Sequence, residues 1–384
     1  MFNFTTLPPL SLYVHIPWCL RKCPYCDFNS HEAKGDIPEQ AYIDALISDL
    51  EQELPGIWGR TVQSIFFGGG TPSLMTAAGL DQLLARIRAL VPLAPSAEIT
   101  LEANPGTAEQ QKFQDFRRLG INRLSIGVQS FNDAALYRLG RVHNSAEALR
   151  AFDLARTAGF DNINLDLMYG LPEQDLDAAL ADIDQALALQ PEHLSHYQLT
   201  LEPNTLFHHQ PPPLPDDDEL WEIQQACQQR LARAGFEHYE ISAYARDQRW
   251  CQHNLNYWQF GDYVGIGAGA HGKITDAFQQ HIRRTTKPRQ PQAYLDASKR
   301  NEPIAESHIV KRDEVGLEFL MNTLRLQQGF PVSRFQERSG QSLALIEKGL
   351  QLAEQRQLIQ RDIHHIRTTE LGQRHLNELL TLFL

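Results

Sequence analysis

The sequence of 384 residues lacks long apolar runs, and no stretch approaches the ~20 uncharged apolar residues that a transmembrane helix needs. Its first nine residues contain no basic residue and no apolar segment, so we predict neither a signal peptide nor a membrane span. We therefore expect a cytoplasmic protein, with only peripheral contact with a membrane left open. A hydrophobic content of 42% is enough for the core of two or three globular domains.

Positive charge is also scarce. The chain has 35 Lys and Arg against 47 Asp and Glu, and this net charge of −12 argues against a nucleic-acid surface spread over the whole molecule. In residues 305–384 the order of predicted elements resembles a winged helix, but ten Lys and Arg are balanced there by ten Asp and Glu. We therefore favour a docking or lid role for this segment over nucleic-acid binding.

Cysteine is rare and unevenly placed. The odd number of five fits a reducing compartment better than a disulfide framework, and three of the five, Cys19, Cys23 and Cys26, lie within eight residues. Thiolate is the ligand that zinc, copper(I) and iron-sulfur clusters prefer. A zinc site would want a fourth Cys or His at matching spacing, but Phe28 stands two residues beyond Cys26. We favour a [4Fe-4S] cluster with one iron open to an outside ligand over zinc or three unrelated thiols.

The spacing C-x3-C-x2-C resembles the signature of radical S-adenosylmethionine (SAM) proteins, in which the amino and carboxylate groups of SAM occupy the open iron. Up to residue 200, β-branched or aromatic runs alternate with amphipathic stretches, the pattern of α/β units that build a parallel sheet. Six units resemble the partial (β/α)6 TIM-like barrel of the radical SAM core, and a complete eight-unit barrel is the alternative. Strands are predicted over residues 12–16, 62–67, 98–102, 123–129, 162–168 and 194–200, and helices over 38–54, 76–90, 107–119, 145–158 and 176–189.

Two further segments are predicted after the barrel of residues 1–202. Residues 203–304 form a proline-rich loop and an α+β extension, with a helix over 219–234 and a strand or bridging segment over 238–244. Residues 305–384 form a winged-helix-like C-terminal domain, with helices over 313–326, 342–355 and 371–384 and a hairpin within 358–368.

Two short patterns in the extension have a structural and a functional interpretation. Three aspartates at 216–218 suggest a metal site, but acids in the first turn of a helix also stabilise its positive end, and we favour this second role. The glycines at 265, 267 and 269 resemble a dinucleotide fingerprint only superficially, because the motif requires a strand before it and a helix after it. Close approach of two backbone segments explains them better.

Five of the six predicted strands end in polar or glycine-rich segments, and in α/β folds the ligand lies at these carboxyl ends. The glycines of residues 68–71 can bring bare backbone against an amino group. Gln129 and Asp166 can share ribose hydroxyls, while Glu102 and Arg141 can order the methionyl part of SAM.

Together and in this order, these motifs are similar over essentially the whole chain to the oxygen-independent coproporphyrinogen dehydrogenase branch of the radical SAM superfamily. The resemblance implies that Cys19, Cys23 and Cys26 ligate the cluster. It also implies a set of residues beside the cluster or in contact with SAM: Tyr13, Tyr25, Gly69, Gly70, Thr71, Glu102, Gln129, Arg141 and Asp166.

One departure bears on function. Coproporphyrinogen dehydrogenases carry a further cysteine two residues after the third, where this chain has Phe28. Phe28 and the run His-Asn-x-x-Tyr-Trp resemble the haem-chaperone group of that branch, which is thought to hand haem to apo-proteins. The resemblance implies haem binding by four residues: His253, Asn254, Tyr257 and Trp258.

Imidazole is a common axial ligand of haem iron and aromatic rings can cover the macrocycle, although a buried, hydrogen-bonded core histidine has the same sequence pattern. Cys251 is an alternative iron ligand, and His15 and His271 are expected to be structural. The favoured hypothesis is therefore a haem chaperone that receives electrons for its cluster from a donor and passes haem to an acceptor protein. The alternative is oxidative decarboxylation of a porphyrinogen, driven by a 5′-deoxyadenosyl radical from SAM.

Overall fold

The computed structural model describes residues 2–106 and 109–384. The six predicted strands are all present, and the predicted helix over 107–119 is described from Glu109 because residues 107 and 108 lie outside the described part. A short 3-10 helix, Pro72–Leu74, follows the second of these strands. The elements of this part are β1 (Leu10–Ile16), β2 (Trp18–Cys19), β3 (His31–Glu32), α1 (Glu39–Ile57), β4 (Val62–Gly69), α2 (Ala77–Leu90), β5 (Leu93–Ala103), α3 (Glu109–Arg118), β6 (Arg123–Gln129), α4 (Asp133–Arg138), α5 (Ser145–Thr157), β7 (Ile163–Tyr169), α6 (Leu176–Leu189) and β8 (His193–Gln198).

The main sheet has an α/β core. Strands β1, β4, β5, β6, β7 and β8 are adjacent in this order and parallel, so the carboxyl ends of all six lie at the same edge. Side chains on both faces are buried, as expected for parallel strands covered by helices: all seven residues of β6 are buried, and so are six of the seven in β1. The α/β class predicted from the alternating pattern is confirmed.

The extension lengthens this sheet at both ends. Its elements are α7 (Leu206–His209), α8 (Asp217–Arg233), β9 (Glu237–Glu240), β10 (Ala243–Ala245), α9 (Gln252–Trp258), β11 (Asp262–Ile266), β12 (His271–Asp276), β13 (His281–Thr286), α10 (Pro291–Lys299) and β14 (Glu306–Ile309). The single strand expected over 238–244 is instead the hairpin β9–β10, which pairs with β8. At the opposite end, β11 pairs parallel with β1, and β12, β13 and β14 follow antiparallel, so the sheet has twelve described strands.

Strand β11 is a seventh parallel strand that the sequence did not predict. β11 follows helix α9 and is itself followed directly by strand β12. It therefore lacks the βα alternation from which the other parallel strands were predicted. Glycines in and just after β11 permit close contact between backbone segments. A Cβ on Gly265 would lie 1.9 Å from the backbone oxygen of His271. Gly267, whose φ is 104°, lies beside the backbone carbonyl of His15. Close backbone approach, rather than nucleotide binding, therefore accounts for these glycines.

The acidic triplet begins helix α8. The Asp216 carboxylate accepts hydrogen bonds from the backbone N–H groups of Asp218 and Glu219, and the Glu219 side chain accepts from the N–H of Asp216. This reciprocal arrangement is a capping box, which satisfies N–H groups that the first helical turn leaves free. The triplet thus serves the start of the helix, as the favoured interpretation predicted.

The C-terminal part is a small helical unit with a three-stranded sheet. Its elements are α11 (Val315–Thr323), β15 (Phe330–Pro331), α12 (Val332–Ser339), α13 (Glu347–Gln355), β16 (Ile359–Arg361), β17 (His365–Thr368), α14 (Glu370–Arg374) and α15 (Leu376–Thr381). The strand order in the small sheet is β15-β17-β16. The predicted hairpin is confirmed as β16–β17, but the single helix expected over 371–384 is wrong, because it divides at His375 into α14 and α15. No described helix is both long and apolar enough to cross a membrane.

Candidate functional site

The three clustered cysteines lie on the loop that leaves β1. Cys19 ends β2, whose pairing with β3 closes the loop, and the backbone N–H of Cys26 donates to the carbonyl of Cys23 at 3.2 Å. All three are half-buried and line one cavity of about 290 Å3, here called the cluster cavity. Burial raises the pKa of the Cys19 and Cys26 thiols, so a metal must displace their protons to bind.

The thiol arrangement suits a cluster better than a single ion. In the described ranges, no three His, Cys, Asp or Glu side chains converge on a point where one metal ion could bind. The three thiols nevertheless line the same cavity. Zinc draws all its thiolates to about 2.3 Å from one centre, whereas the irons of a [4Fe-4S] cluster each take a different cysteine. The residues present therefore fit the cluster that their spacing predicts.

The glycine turn after β4 packs its backbone against the cysteine loop. The N–H groups of Gly70 and Thr71 donate to the carbonyls of Ile16 and Trp18, both at 2.7 Å. A Cβ on Gly70 would lie 2.5 Å from the carbonyl oxygen of Trp18, so no larger residue fits. Gly69, with a φ of 111°, adopts a conformation that glycine tolerates best. All three predicted residues of this turn line the cluster cavity.

Two carboxyl groups face the cluster cavity from β5 and β7, the strands on either side of β6. Glu102 accepts from the N–H of Gly69 at 3.1 Å, while Asp166 accepts from Ser125 Oγ at 3.1 Å and Asn164 Nδ2 at 2.7 Å. Burial, with the Asp166 charge adding to it, raises the pKa of Glu102 to about 8. Burial also raises the pKa of Asp166, although its hydrogen bonds oppose the shift. The charged form of both carboxyl groups is therefore disfavoured in the free protein, and a cationic ligand must displace a proton to pair with a carboxylate.

Arg141 is held between the cysteine loop and the strand ends. Its Nη2 donates to Asn104 Oδ1 at 2.6 Å and to the Gly127 carbonyl at 2.7 Å, and its Nη1 lies 3.6 Å from Cys23 Sγ. Its buried Nε has no hydrogen-bond partner among the described residues. Asn104 also donates to Thr71 Oγ1 at 2.8 Å and so connects Arg141 to the glycine turn. Asn104 was not predicted as a site residue, although it lies in the exit segment that follows β5.

Gln129 ends β6 in a backbone conformation that is unusual for its residue type. Its φ is 70°, and its Oε1 accepts from Tyr197 Oη at 2.7 Å. Gln129 and Tyr197 both line the cluster cavity, as does Tyr25. Tyr197 was not predicted. The signal that could have found it is a polar aromatic residue one position before the end of a strand in which three of six residues are buried. Strained backbone held by surrounding structure is common at functional sites.

A second cavity, of about 800 Å3, adjoins the cluster cavity and is here called the large cavity. Four residues line both: Asp27, Phe28, Gly69 and Glu102. Tyr13, predicted beside the cluster, lines the large cavity rather than the cluster cavity, and its hydroxyl lies 3.0 Å from His15 Nδ1. The remaining predicted cluster and SAM residues line the cluster cavity.

The structure separates the four predicted haem residues. Tyr257 and Trp258 line the large cavity, but His253 and Asn254 line neither cavity. His253 Nδ1 lies 3.0 Å from Ser64 Oγ and Nε2 lies 2.9 Å from Tyr257 Oη, so both ring nitrogens have partners. Burial lowers the pKa of His253 to about 3. The contacts of His253 are those of a buried core histidine, and haem binding through its ring stays a prediction.

Cys251, the alternative iron ligand, also lines neither cavity. Its thiol is buried, lies 3.6 Å from Glu98 Oε1 and has its pKa raised to about 12 by burial. Glu98 also accepts from the N–H groups of Gln252 and His253, both at 3.1 Å. These contacts anchor the start of α9 to β5, so Cys251 and Glu98 have structural roles.

Comparison with known proteins identifies the family. Residues 13–185 match the radical SAM superfamily, and residues 310–375 match the HemN C-terminal domain. The heme chaperone HemW of Escherichia coli (strain K12) is 49% identical over 98% of this chain and 99% of its own length. The protein of the same name from Haemophilus influenzae is 49% identical over 98% of both chains. The chain belongs to the HemW family.

Family membership agrees with the fold and with the chemistry of the cluster cavity. The structure of coproporphyrinogen III oxidase (HemN) from Escherichia coli, a radical SAM enzyme, matches with a TM-score of 0.83 over 98% of this chain and 90% of that one. At 24% identity, this similarity establishes the fold alone. As a member of the radical SAM superfamily, this HemW-family chain has a [4Fe-4S] cluster and SAM as its expected cofactors.

Proposed function

We propose that the chain is a haem chaperone that binds haem in the large cavity and passes it to an apo-protein. The observation that carries this proposal is 49% identity, over almost the full length of both chains, to a curated heme chaperone. Phe28 adds support, because it occupies the position of the further cysteine in the decarboxylating branch and lines both cavities with 59% of its surface exposed.

The cluster cavity supplies ligands for each part of the expected cofactors. Cys19, Cys23 and Cys26 would hold the cluster, with Tyr25 beside it. When bound, the cluster and SAM supply one-electron chemistry at the SAM sulfonium. Arg141 can donate to the SAM carboxylate and Glu102 can accept from its amino group. The other proposed SAM contacts, all lining the same cavity, are Gly69, Gly70, Thr71, Gln129 and Asp166.

The large cavity suits a flat, mostly apolar cargo with acidic groups. Its volume of about 800 Å3 falls in the usual range for small-molecule sites. Tyr257 and Trp258 offer aromatic surface for a macrocycle, and Arg289 offers a guanidinium for a propionate. Asp27, Phe28, Gly69 and Glu102 form a wall shared by the two cavities. Through this wall, SAM binding in the cluster cavity can alter the haem site.

The test is an anaerobic haem titration of the reconstituted protein with and without SAM, followed by addition of a haem-free acceptor protein. We expect one haem per chain, a shifted Soret band and transfer of that band to the acceptor. A variant with Cys19, Cys23 and Cys26 changed to alanine is the control, and it should lose the iron-sulfur absorbance while still binding haem. Failure of the wild-type protein to bind haem would contradict the proposal.

The second candidate function is decarboxylation of coproporphyrinogen III, with electrons from an external donor. The same reconstituted protein should leave this substrate unconverted in the presence of SAM and reductant, because Phe28 replaces the further cysteine of that branch. Conversion at the rate of a true decarboxylase would favour the enzymatic function instead.

A further inference from the structure

Three histidines lie in or directly behind the wall of the large cavity, and two of them have no free ring nitrogen. His253 is bonded to Ser64 and Tyr257. His15 lies 3.0 Å from Tyr13 Oη through Nδ1 and 2.8 Å from the Asn29 carbonyl through Nε2, and it is buried. An iron ligand needs a nitrogen lone pair directed at the metal, and neither ring can offer one without losing a buried hydrogen bond.

The third histidine, His271, has the opposite properties. It is the first residue of β12, it is exposed, and its side chain lines the large cavity. Among the described residues, neither of its ring nitrogens has a hydrogen-bond partner, so both remain available to a ligand. The sequence predicts a structural role for His271, but among the described residues no hydrogen bond explains such a role for its ring.

The backbone that carries His271 is firmly placed. The carbonyl oxygen of His271 lies so close to Gly265 that a Cβ there would be 1.9 Å away, and His271 pairs with Thr286 on β13. The preceding turn is tied to the neighbouring loop, because Asn29 Nδ2 donates to the carbonyls of Ala268 and Arg289 at 2.9 Å and 2.8 Å. An iron-ligating side chain at this strand end would therefore be held by rigid elements rather than by a free loop.

The surroundings of His271 match the rest of a haem. Arg289 is exposed, lines the large cavity, and its guanidinium has no partner among the described residues. The other nearby arginine, Arg284, is already paired with Glu318 at 2.5 Å. Tyr257 and Trp258 line the same cavity and provide apolar surface. One free imidazole, one free guanidinium and two aromatic rings therefore line one cavity.

We infer that His271, and not His253, supplies the axial nitrogen to the haem iron, and that Arg289 binds a haem propionate. This inference rests on the proposed function, since it assumes that haem occupies the large cavity. His253 then acts as a positioning residue, which holds Tyr257 in place through its hydrogen bond.

The test compares haem titrations of His271→Ala and His253→Ala, with absorption and electron paramagnetic resonance spectra of the bound iron. We expect His271→Ala to lose the spectrum of histidine-ligated haem and to bind at least about tenfold more weakly. Added imidazole should restore the spectrum, since the missing ring leaves space for it. His253→Ala should keep the wild-type iron spectrum, and Arg289→Ala should weaken binding without changing that spectrum.

His281→Ala is the matched control, because His281 lies at the far end of the same β12–β13 hairpin and does not line the cavity. Circular dichroism and the iron-sulfur absorbance confirm that each variant is folded. An unchanged spectrum and affinity in His271→Ala, or loss of histidine ligation in His253→Ala, would overturn the inference. If the wild-type protein binds no haem at all, the proposed function itself fails, so the two failures are distinguishable.

Discussion

At the scale of single residues, the cluster cavity is unusual in holding two half-buried carboxyl groups close together. Two neighbouring negative charges repel each other in a poorly solvated site, so at least one carboxyl group holds its proton in the free protein. Burial and Asp166 together raise the pKa of Glu102 to about 8, so Glu102 is mostly protonated at neutral pH. A ligand with positive charge must displace that proton in order to use the carboxylate.

SAM affinity should therefore depend on pH through Glu102. Below pH 8 the proton competes with the cationic ligand, so affinity should rise with pH by up to about tenfold per unit and level off above pH 8. Isothermal titration calorimetry across this range, in buffers of different ionisation enthalpy, should also detect proton release on binding. Glu102→Gln should remove the slope, whereas Glu202→Gln, a change in the same cavity, should retain it.

His253 should matter for stability more than for iron ligation. Removing its ring leaves a space and deprives Ser64 and Tyr257 of hydrogen-bond partners in a buried region. We expect His253→Ala to lower the free energy of unfolding by about 2–4 kcal/mol, measured by urea denaturation. Asn254→Ala, the neighbouring change in the same helix, should cost less than about 1 kcal/mol. Equal effects of the two changes would contradict the structural role of His253.

At the scale of elements, β11 is fastened to the molecule by a buried charge network. Asp262 accepts from Lys273 Nζ at 2.9 Å and Arg60 Nη1 at 2.8 Å, and also from the N–H and hydroxyl of Thr275 at 2.9 Å and 2.8 Å. Burial acts to raise the pKa of Asp262, but Lys273 and Arg60 hold it below its ordinary value. This network ties β11 to β12 and to the loop before β4, and so fixes the wall of the large cavity.

Asp262→Asn should destabilise the fold strongly, because it leaves the buried ammonium of Lys273 without its counter-charge. Breaking one side of a buried ion pair costs about 3–5 kcal/mol, which urea denaturation would detect. Since the folded-state pKa of Asp262 is depressed, its contribution is present above the pKa of the unfolded chain and is lost as the pH falls through the folded value. The exposed change Asp296→Asn is the control and should alter stability by no more than about 0.5 kcal/mol.

At the scale of the whole molecule, the predicted segments share both a sheet and a core. The extension contributes β11 beside β1, and the main sheet continues to β14, beyond the predicted boundary at residue 304. The core of the C-terminal part, around Phe319, also includes Phe4 from the N-terminus and Phe260 from the extension. The boundaries at 202 and 304 stay predictions, and the packing across them favours a chain that folds as one unit.

A fragment of residues 1–202 should therefore fail to fold alone. Cutting there removes β11 and leaves β1 as an exposed edge strand with unpaired backbone groups, which promotes aggregation. We expect the fragment to be insoluble or to unfold without a cooperative transition, while the full chain unfolds cooperatively. Circular dichroism during thermal denaturation of both forms tests this, and a soluble fragment with a sharp transition would show that residues 1–202 are an independent domain.

The sequence by itself determined the parallel core and the candidate cluster ligands, because both depend on local signals. Alternating βα patterns mark strands and helices, and the spacing of Cys19, Cys23 and Cys26 within one loop needs no distant partner. Tertiary structure alone decided the addition of β11 and the contrast between His253 and His271. Whether a histidine has a free ring nitrogen depends on residues far away in the chain, such as Ser64 beside His253, and on exposure that only folding creates.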